Sequence, residues 1–154
     1  MKTTLILLMT LLLTTGGCTK EDHKDPQTIR FTEIGKGYLS GNGDEGIEKS
    51  NLVIKTKTEW ETLMQKMNTS GNVTDNFTET DIDFNTYMVI AVFDSGRLPF
   101  SNTTIEKINA SQDTINIVYT IVVSDAMGGI QGQGFHIIKT PISNQEVVFN
   151  LNTQ

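Results

Sequence analysis

The seven residues YMVIAVF, Tyr87 to Phe93, are apolar without interruption, and three of them are β-branched. A strand with one face in water alternates apolar and polar residues, whereas a short, fully apolar run is typical of a strand covered on both faces. The stretch therefore predicts a central strand. Other parts of the chain must supply the elements that cover its two faces.

Most other apolar residues recur with a period of two, which is typical of strands with one buried face. The longest such segment is TINIVYTIVV (114–123), in which Asn116 and Thr120 lie opposite the isoleucines. Four shorter segments also predict strands: TIRFTEI (28–34), NLVIKT (51–56), FHIIK (135–139) and EVVFNLN (146–152).

One segment has the periodicity of a helix. Its apolar residues recur at i, i+3, i+4 and i+7 and form one stripe: Trp60, Leu63, Met64 and Met67. Thr58 and Glu61 have the spacing of a capping box, so we predict a helix from about Glu59 to Met67. We expect Trp60 to pack on the sheet, and a ligand-stacking platform is the alternative.

These patterns predict a mostly β (α+β) fold with six or seven strands and one helix. A largely antiparallel sandwich or a partly open barrel, with the helix packed on it, accommodates them. Residues 28–154 are long enough for one domain with a core of its own.

The N-terminus has the parts of a secretory signal peptide, which we place at residues 1–17: Lys2, an apolar run from Leu5 to Leu13, and small residues. A membrane-spanning helix needs about 20 apolar residues, so this run is too short to span. The next residue, Cys18, is the only cysteine. The junction TTGGC resembles the bacterial lipobox, with Thr15 where Leu is usual. That resemblance implies cleavage before Cys18 and lipid attachment to its thiol, and a spare thiol is the alternative.

Residues 18–27 predict a disordered tether, because TKEDHKDPQ after Cys18 has no hydrophobic residue. We expect His23 to be a solvated side chain there. The segment Lys20-Glu21-Asp22 resembles the signal that sends lipoproteins of Bacteroidota to the outer face of the outer membrane, and a plain linker is the alternative. We therefore expect a lipid anchor in the outer membrane, on its outer or its periplasmic face.

The net charge and the cysteine content limit the possible partners and the possible sources of stability. Without Lys2, the mature chain has 11 basic and 18 acidic residues, a net charge of −7. The basic residues are scattered, which argues against nucleic acid as a partner. A single cysteine allows no disulfide within the chain, so the domain depends on packing alone.

The remaining polar residues do not form a catalytic pattern. No G-x-S-x-G sequence surrounds a serine. His136 lies between apolar neighbours, and we expect it at the surface of a sheet. Asp81 and Asp83 lack the spacing of a calcium loop and predict a turn before the central strand.

The glycine-rich segment GGIQGQG (128–134) lacks the Gly-Lys-Ser/Thr end of a phosphate-binding loop, so we expect a hairpin tip. Asp113-Thr114-Ile115 matches a three-residue pattern for O-glycosylation in Bacteroidota. We predict a binding protein without metal or cofactor, rather than an enzyme.

The order of elements over residues 50–150 resembles the C-terminal domain of the PrcB family of protease-complex proteins, which is common among exported bacterial lipoproteins. The segments that carry the resemblance are EWETLMQKM, DIDFNTYMVIAVFDSGRLP, TTIEKI and GFHIIKTP. Gly96-Arg97-Leu98-Pro99 matches the Gly-x-x-Pro turn of the family. Phe100 to Thr103 depart from its usual Thr-Gly-Gly-Tyr. The resemblance implies an accessory protein that binds or stabilises a secreted protease.

We place the candidate contact surface at this turn and at the glycine-rich segment. Its residues are Arg97, Leu98, Pro99 and Phe100, joined by Met127, Gly128, Gly129 and Gln131. An arginine beside a Leu-Pro-Phe cluster has the composition of an interface anchor, although Phe100 closing the end of the sandwich is the alternative. The rival function is a glycan-binding or adhesion domain that reads sugars with aromatic and amide side chains.

Overall fold

The computed structural model describes residues 26–40, 42–95, 101–123 and 132–153. These residues form eight strands, one α-helix and one short 3₁₀ helix. In chain order the elements are β1 (Gln27–Ile29), β2 (Thr32–Ser40), β3 (Ser50–Ile54), α1 (Lys57–Met67), the 3₁₀ helix (Val73–Asn76), β4 (Tyr87–Phe93), β5 (Ser101–Ala110), β6 (Thr114–Val123), β7 (Gly132–Pro141) and β8 (Glu146–Leu151).

The strands form two four-stranded sheets. Sheet A has the order β1-β5-β6-β8, and sheet B has the order β2-β7-β4-β3. All pairs are antiparallel except β6 with β8, which run parallel. The predicted sandwich with one packed helix is confirmed, and the two sheets do not close into a barrel in the part of the chain described.

Strand β4 is covered on both faces, as its sequence predicts. From Met88 to Phe93 each residue is at most 1 % exposed. Val89, Ala91 and Phe93 pack in a cluster with the helix, and the alternate residues pack against sheet A. The fold therefore has three layers, with α1 and sheet A on opposite sides of sheet B.

Helix α1 begins two residues earlier than predicted, at Lys57. Its N-cap is Thr56, whose Oγ1 accepts a hydrogen bond from the Glu59 N–H at 3.3 Å. The Glu59 carboxylate in turn accepts from the Thr56 hydroxyl (2.8 Å) and the Lys55 N–H (3.2 Å). These hydrogen bonds lower the pKa of Glu59, and the one from the Thr56 side chain contributes most. The prediction of Thr58 and Glu61 as the capping box was wrong, because β3 already ends at Ile54.

Trp60 is a core residue and is 1 % exposed. Its indole N–H donates to the Thr80 carbonyl oxygen at 2.8 Å, and its ring stacks on Phe77 with 6.0 Å between centroids. Phe77 in turn covers Gly35 of β2, where a Cβ atom would lie 2.4 Å from the Phe77 ring. The helix is thus fixed to sheet B through one aromatic stack.

Two strands differ from their predicted extents. The segment TIRFTEI forms two strands rather than one, because the chain crosses from sheet A to sheet B at Arg30 and Phe31. Strand β7 begins at Gly132, so Gly132 and Gly134 belong to a buried strand and not to a hairpin tip. Among the described residues, no helix is both long and apolar enough to cross a membrane.

Replacing Trp60 tests the packing of the helix on sheet B. We expect Trp60→Ala to lower the free energy of unfolding by about 3–5 kcal/mol, because a large buried ring is removed. Trp60→Phe keeps an aromatic ring and removes the hydrogen bond to Thr80, so its loss should be smaller. Urea titrations of the three proteins measure both effects. A wild-type midpoint for Trp60→Ala, with ligand binding lost, would make Trp60 a platform instead.

Candidate functional site

The strands that flank the two predicted contact segments end at the same end of the sandwich. Phe93, the last residue of β4, pairs with Phe135 near the start of β7. Ser101, the first residue of β5, pairs with Val123, the last residue of β6. Segments 96–100 and 124–131 therefore both leave from this end, which we call the loop end.

The predicted contact residues themselves lie outside the described residues. These are Arg97, Leu98, Pro99, Phe100, Met127, Gly128, Gly129 and Gln131. Cys18, the predicted lipid attachment site, lies outside them as well. The loop end can therefore be described through the strand ends that position these segments.

A cluster of buried polar residues lies directly beneath the loop end. We call Asp94, Ser101, Thr103 and Gln133 the anchor cluster, and each is at most 2 % exposed. The Asp94 N–H donates to the Gly134 carbonyl oxygen at 3.0 Å, and the Gln133 side-chain amide donates to the Asp94 carbonyl oxygen at 2.9 Å. Because Asp94 and Ser101 are both buried, the segment between them is held at both ends.

Gly134 allows the two sheets to touch at the anchor cluster. A Cβ atom at this position would lie 2.2 Å from the Ser101 carbonyl oxygen, 2.9 Å from Asp94 Oδ2 and 3.0 Å from Thr103 Oγ1. The closest of these atoms belongs to the backbone and cannot rotate away. Glycine is therefore required here by space, since any side chain would push β5 away from β7.

A third connection is tied to the same end. Strand β2 ends at Ser40, which pairs with Gly132, and β3 begins at Ser50, which pairs with Phe93. Glu45 in the connection is buried, and its carboxylate accepts from the Ser40 N–H (2.9 Å) and the Ser40 hydroxyl (2.8 Å). A buried carboxylate with two donors holds this connection against β2.

His136 lies between the two sheets, so the prediction of a surface position was wrong. It is 3 % exposed, because β7 is an interior strand of sheet B with both faces covered. Its Nδ1 accepts a hydrogen bond from the Ile105 N–H of sheet A at 2.7 Å. Its Nε2 lies 3.0 Å from the Glu33 carboxylate of β2. The pKa of His136 is lowered, and burial of the ring is the largest cause.

The contacts of His136 favour a structural role for this residue over a role as a general base. A histidine that acts as a general base must accept a proton from a nucleophile at one ring nitrogen. Here Nδ1 is already bonded to a backbone N–H, and Nε2 faces a carboxylate. In the part of the chain that the structure describes, no three His, Cys, Asp or Glu side chains are grouped to hold a metal ion.

Large hydrophobic side chains are exposed close to the loop end. Val123 is 43 % exposed and Tyr38 is 44 % exposed, and their partners in the sheets are Ser101 and Gly134. Residues paired across a ladder point to the same face, so both side chains point into the space between the sheets. Val122, the residue before Val123, is also exposed. Leu151, the last residue of β8, is exposed as well, but it pairs with Tyr119 near the middle of β6.

Two grooves lie on the helix side of the molecule. One, of about 340 Å³, runs between β3 and α1 and is lined mainly by apolar atoms of Leu52, Ile54 and Leu63. The other, of about 870 Å³, lies between α1 and the 3₁₀ helix beside Met64 and Phe77. Sequence analysis did not identify either groove, because both depend on how the helix sits over the sheet.

The end opposite to the loop end holds the remaining motifs. Asp83 accepts from the Thr86 hydroxyl (2.7 Å) and the Asn85 N–H (3.0 Å), and these bonds lower its pKa. The predicted turn before β4 is thereby confirmed. Thr114 begins β6, and its hydroxyl lies 2.8 Å from Ser111 Oγ and accepts from the Asn116 amide at 3.1 Å.

Comparisons with protein-family models, with curated proteins and with solved structures found no match for this chain. The resemblance to the PrcB family therefore stays a prediction.

Adding one methyl group at Gly134 tests the contact between the sheets. We expect Gly134→Ala to destabilise the protein by about 1–3 kcal/mol, because the backbone of β5 must move to admit the Cβ atom. The matched control is Gly37→Ala on β2, where the nearest atom to the new methyl is Phe135 Cζ at 3.4 Å.

Gly37→Ala should change the free energy of unfolding by less than about 1 kcal/mol, since no atom has to move far. Chemical denaturation of both variants gives the comparison. Equal losses for the two variants would show that the sheets do not meet at Gly134.

Proposed function

We propose that the protein is a lipid-anchored binding module of the bacterial envelope, which holds a protein partner at its loop end. The observation that supports this site is the distribution of exposed apolar side chains. Among the described residues, five large hydrophobic side chains are exposed, and three of them, Tyr38, Val122 and Val123, lie at the loop end. Exposed apolar groups gathered at one place favour an interface over a purely solvated surface.

The anchor cluster supports the same proposal through rigidity. Asp94 and Ser101 are fully buried on both sides of the segment that holds Arg97 and Phe100. The next segment leaves from Val123, the partner of Ser101. Strand ends that are already fixed lose little conformational entropy when a partner binds beside them, so more of the contact energy appears as affinity.

The partner that we propose is an exported protein, and a secreted protease is the first candidate. The PrcB resemblance implies such a partner, and Cys18 would place the module in the envelope beside exported proteins. Two or more acyl chains are enough to hold a protein stably at a membrane. The module would then stabilise its partner at the membrane surface without catalysing a reaction itself.

Glycan binding by the outer face of sheet A has less support. That face carries several side-chain amides, which can hydrogen-bond to the hydroxyl groups of sugars. The Asn150 amide donates to Asn116 Oδ1 at 3.3 Å, and the Asn116 amide donates to the Thr114 hydroxyl at 3.1 Å. These side chains bond one another, so we retain protein binding as the proposed function.

Removing the thiol tests the anchor. We expect Cys18→Ala to release the protein from the membrane fraction or to leave it with its signal peptide, because the thiol is the atom that would carry diacylglycerol. Fractionation and metabolic labelling with an alkyne fatty acid measure this, and Cys18→Ser is the closest control in size. Equal labelling of wild type and Cys18→Ala would refute lipidation.

Adding charge at the loop end tests the binding surface. We expect Val122→Lys combined with Val123→Lys to weaken partner binding by about 2 kcal/mol, the scale of an interface hot spot. The matched control is Ile142→Lys. Ile142 is 40 % exposed, similar to Val123, and lies at the opposite end beside Thr86. The partner is first captured from detergent-solubilised envelope and identified by mass spectrometry, and titration then gives the affinities.

Arg97→Ala combined with Phe100→Ala examines the predicted contact segment in the same assay. A loss of about 2 kcal/mol with an unchanged melting temperature supports an interface role for that segment. A collapsed melting transition would show that Phe100 closes the sandwich. Unchanged binding in both double variants, with a loss for Ile142→Lys, would move the site to the opposite end.

A further inference from the structure

The edge of β5 is covered in two different ways along its length. Strand β1 pairs with β5 only from Ile108 to Ala110. Nearer the loop end, the Ile105 N–H donates across to His136 Nδ1 of sheet B. Both strands beside this point are irregular, with register shifts between Glu33 and Gly35 and between Ile105 and Lys107. A side chain therefore takes the place of a neighbouring strand.

We propose that His136 forms an acid-sensitive latch between the two sheets, made of its imidazole, the Ile105 N–H and the Glu33 carboxylate. The latch is closed when the imidazole is neutral and opens locally when the imidazole takes up a proton. This inference does not depend on the proposed function.

The hydrogen bonds fix which ring nitrogen carries the proton. A backbone N–H can only donate, so His136 Nδ1 must be the unprotonated nitrogen. The single proton of the neutral ring is then on Nε2, which donates to the Glu33 carboxylate. A second proton on Nδ1 would point at the Ile105 N–H over 2.7 Å. Protonation therefore removes the hydrogen bond that joins the sheets.

Among the described residues, the charged groups that act on His136 are Glu33 and Lys36, both from β2. Glu33 favours the protonated ring, whereas Lys36 opposes it. Lys36 is held close because its Nζ donates to Thr104 Oγ1 of β5 at 2.7 Å. From β4 the ladder partner of His136 is the uncharged Val92, and from β5 the contact is the Ile105 backbone. The Glu33 carboxylate is half exposed, so its field at the ring is screened by solvent.

The direction of the pH effect follows from these contacts. Burial lowers the pKa of the closed His136 below its ordinary value of 6.5. As the pH falls below about 6.5, the opened form takes up a proton that the closed form does not. Each further pH unit then weakens closure by up to about tenfold, until the pKa of the closed form is reached. The latch is therefore strong at neutral pH and is lost as the pH falls.

Opening would be transmitted to the loop end. Ile105 lies four residues from Ser101 on β5, and His136 lies two residues from Gly134 on β7. Ser101 and Gly134 form a close contact between the sheets at the loop end. A latch that opens next to this contact loosens the position of both strand ends.

Amide hydrogen exchange on the full chain in detergent micelles tests the latch. Between pH 7.5 and 5.5, the protection factor of the Ile105 amide should fall by about tenfold relative to that of Met88 in β4. In His136→Asn, the side-chain oxygen can accept from Ile105 without titrating, so this relative fall should disappear. Parallel changes at Ile105 and Met88 in the wild type would overturn the proposal, since they would mean opening only by global unfolding.

Nitrogen NMR of the imidazole rings keeps the test valid if His136→Asn does not fold. The reference is the ordinary histidine pKa of about 6.5. The latch requires an unprotonated Nδ1 on His136 at pH 7.5 and a pKa of the His136 ring below that reference. A proton on Nδ1, or a His136 pKa at or above the reference, would contradict the latch.

Discussion

The structure depends on the burial of both faces of β4 and β7. A strand whose two faces are both shielded from water needs a packed layer on each side. Helix α1 covers one side, and sheet A covers the other. The same burial makes a polar group without a partner costly within these strands. Gln133 bonds the Asp94 carbonyl oxygen beside sheet B, and His136 bonds the Ile105 N–H of sheet A. The hydrogen bond that His136 makes between the sheets is therefore a consequence of the layering.

Local patterns in the sequence predicted the parts of the fold that local physics determines. The apolar run of β4, the helical stripe around Trp60 and the turn at Asp83 need only neighbouring residues to be recognised. The capping box was placed two residues late because Thr56-Glu59 and Thr58-Glu61 have the same spacing. Only the position at which β3 ends separates these two choices.

Long-range contacts explain the rest. Gly134 looked like part of a loop because its role depends on Ser101, which is 33 residues away in the chain. The apolar residues around His136 predicted a strand, but they did not indicate that sheet A covers the face on which His136 lies. The parallel pairing of β8 with β6 also has no local signature. For the candidate site, the sequence indicated two segments, and the paired ends of β5 and β6 bring their starting points to one end of the sandwich.

Our central proposal is that the sandwich binds a protein partner at its loop end, while turns occupy the opposite end. The burial of the anchor cluster, the close approach at Gly134 and the exposed side chains of Val122 and Val123 all concern the loop end. The most direct measurement is site-specific photo-crosslinking in intact envelopes. The photoreactive residue is placed at Val123, at Ile142 or at Lys66 in the last turn of α1. We expect a crosslinked protein adduct from Val123 and none from the other two positions. An adduct from Ile142 or Lys66, with none from Val123, would contradict the proposed site.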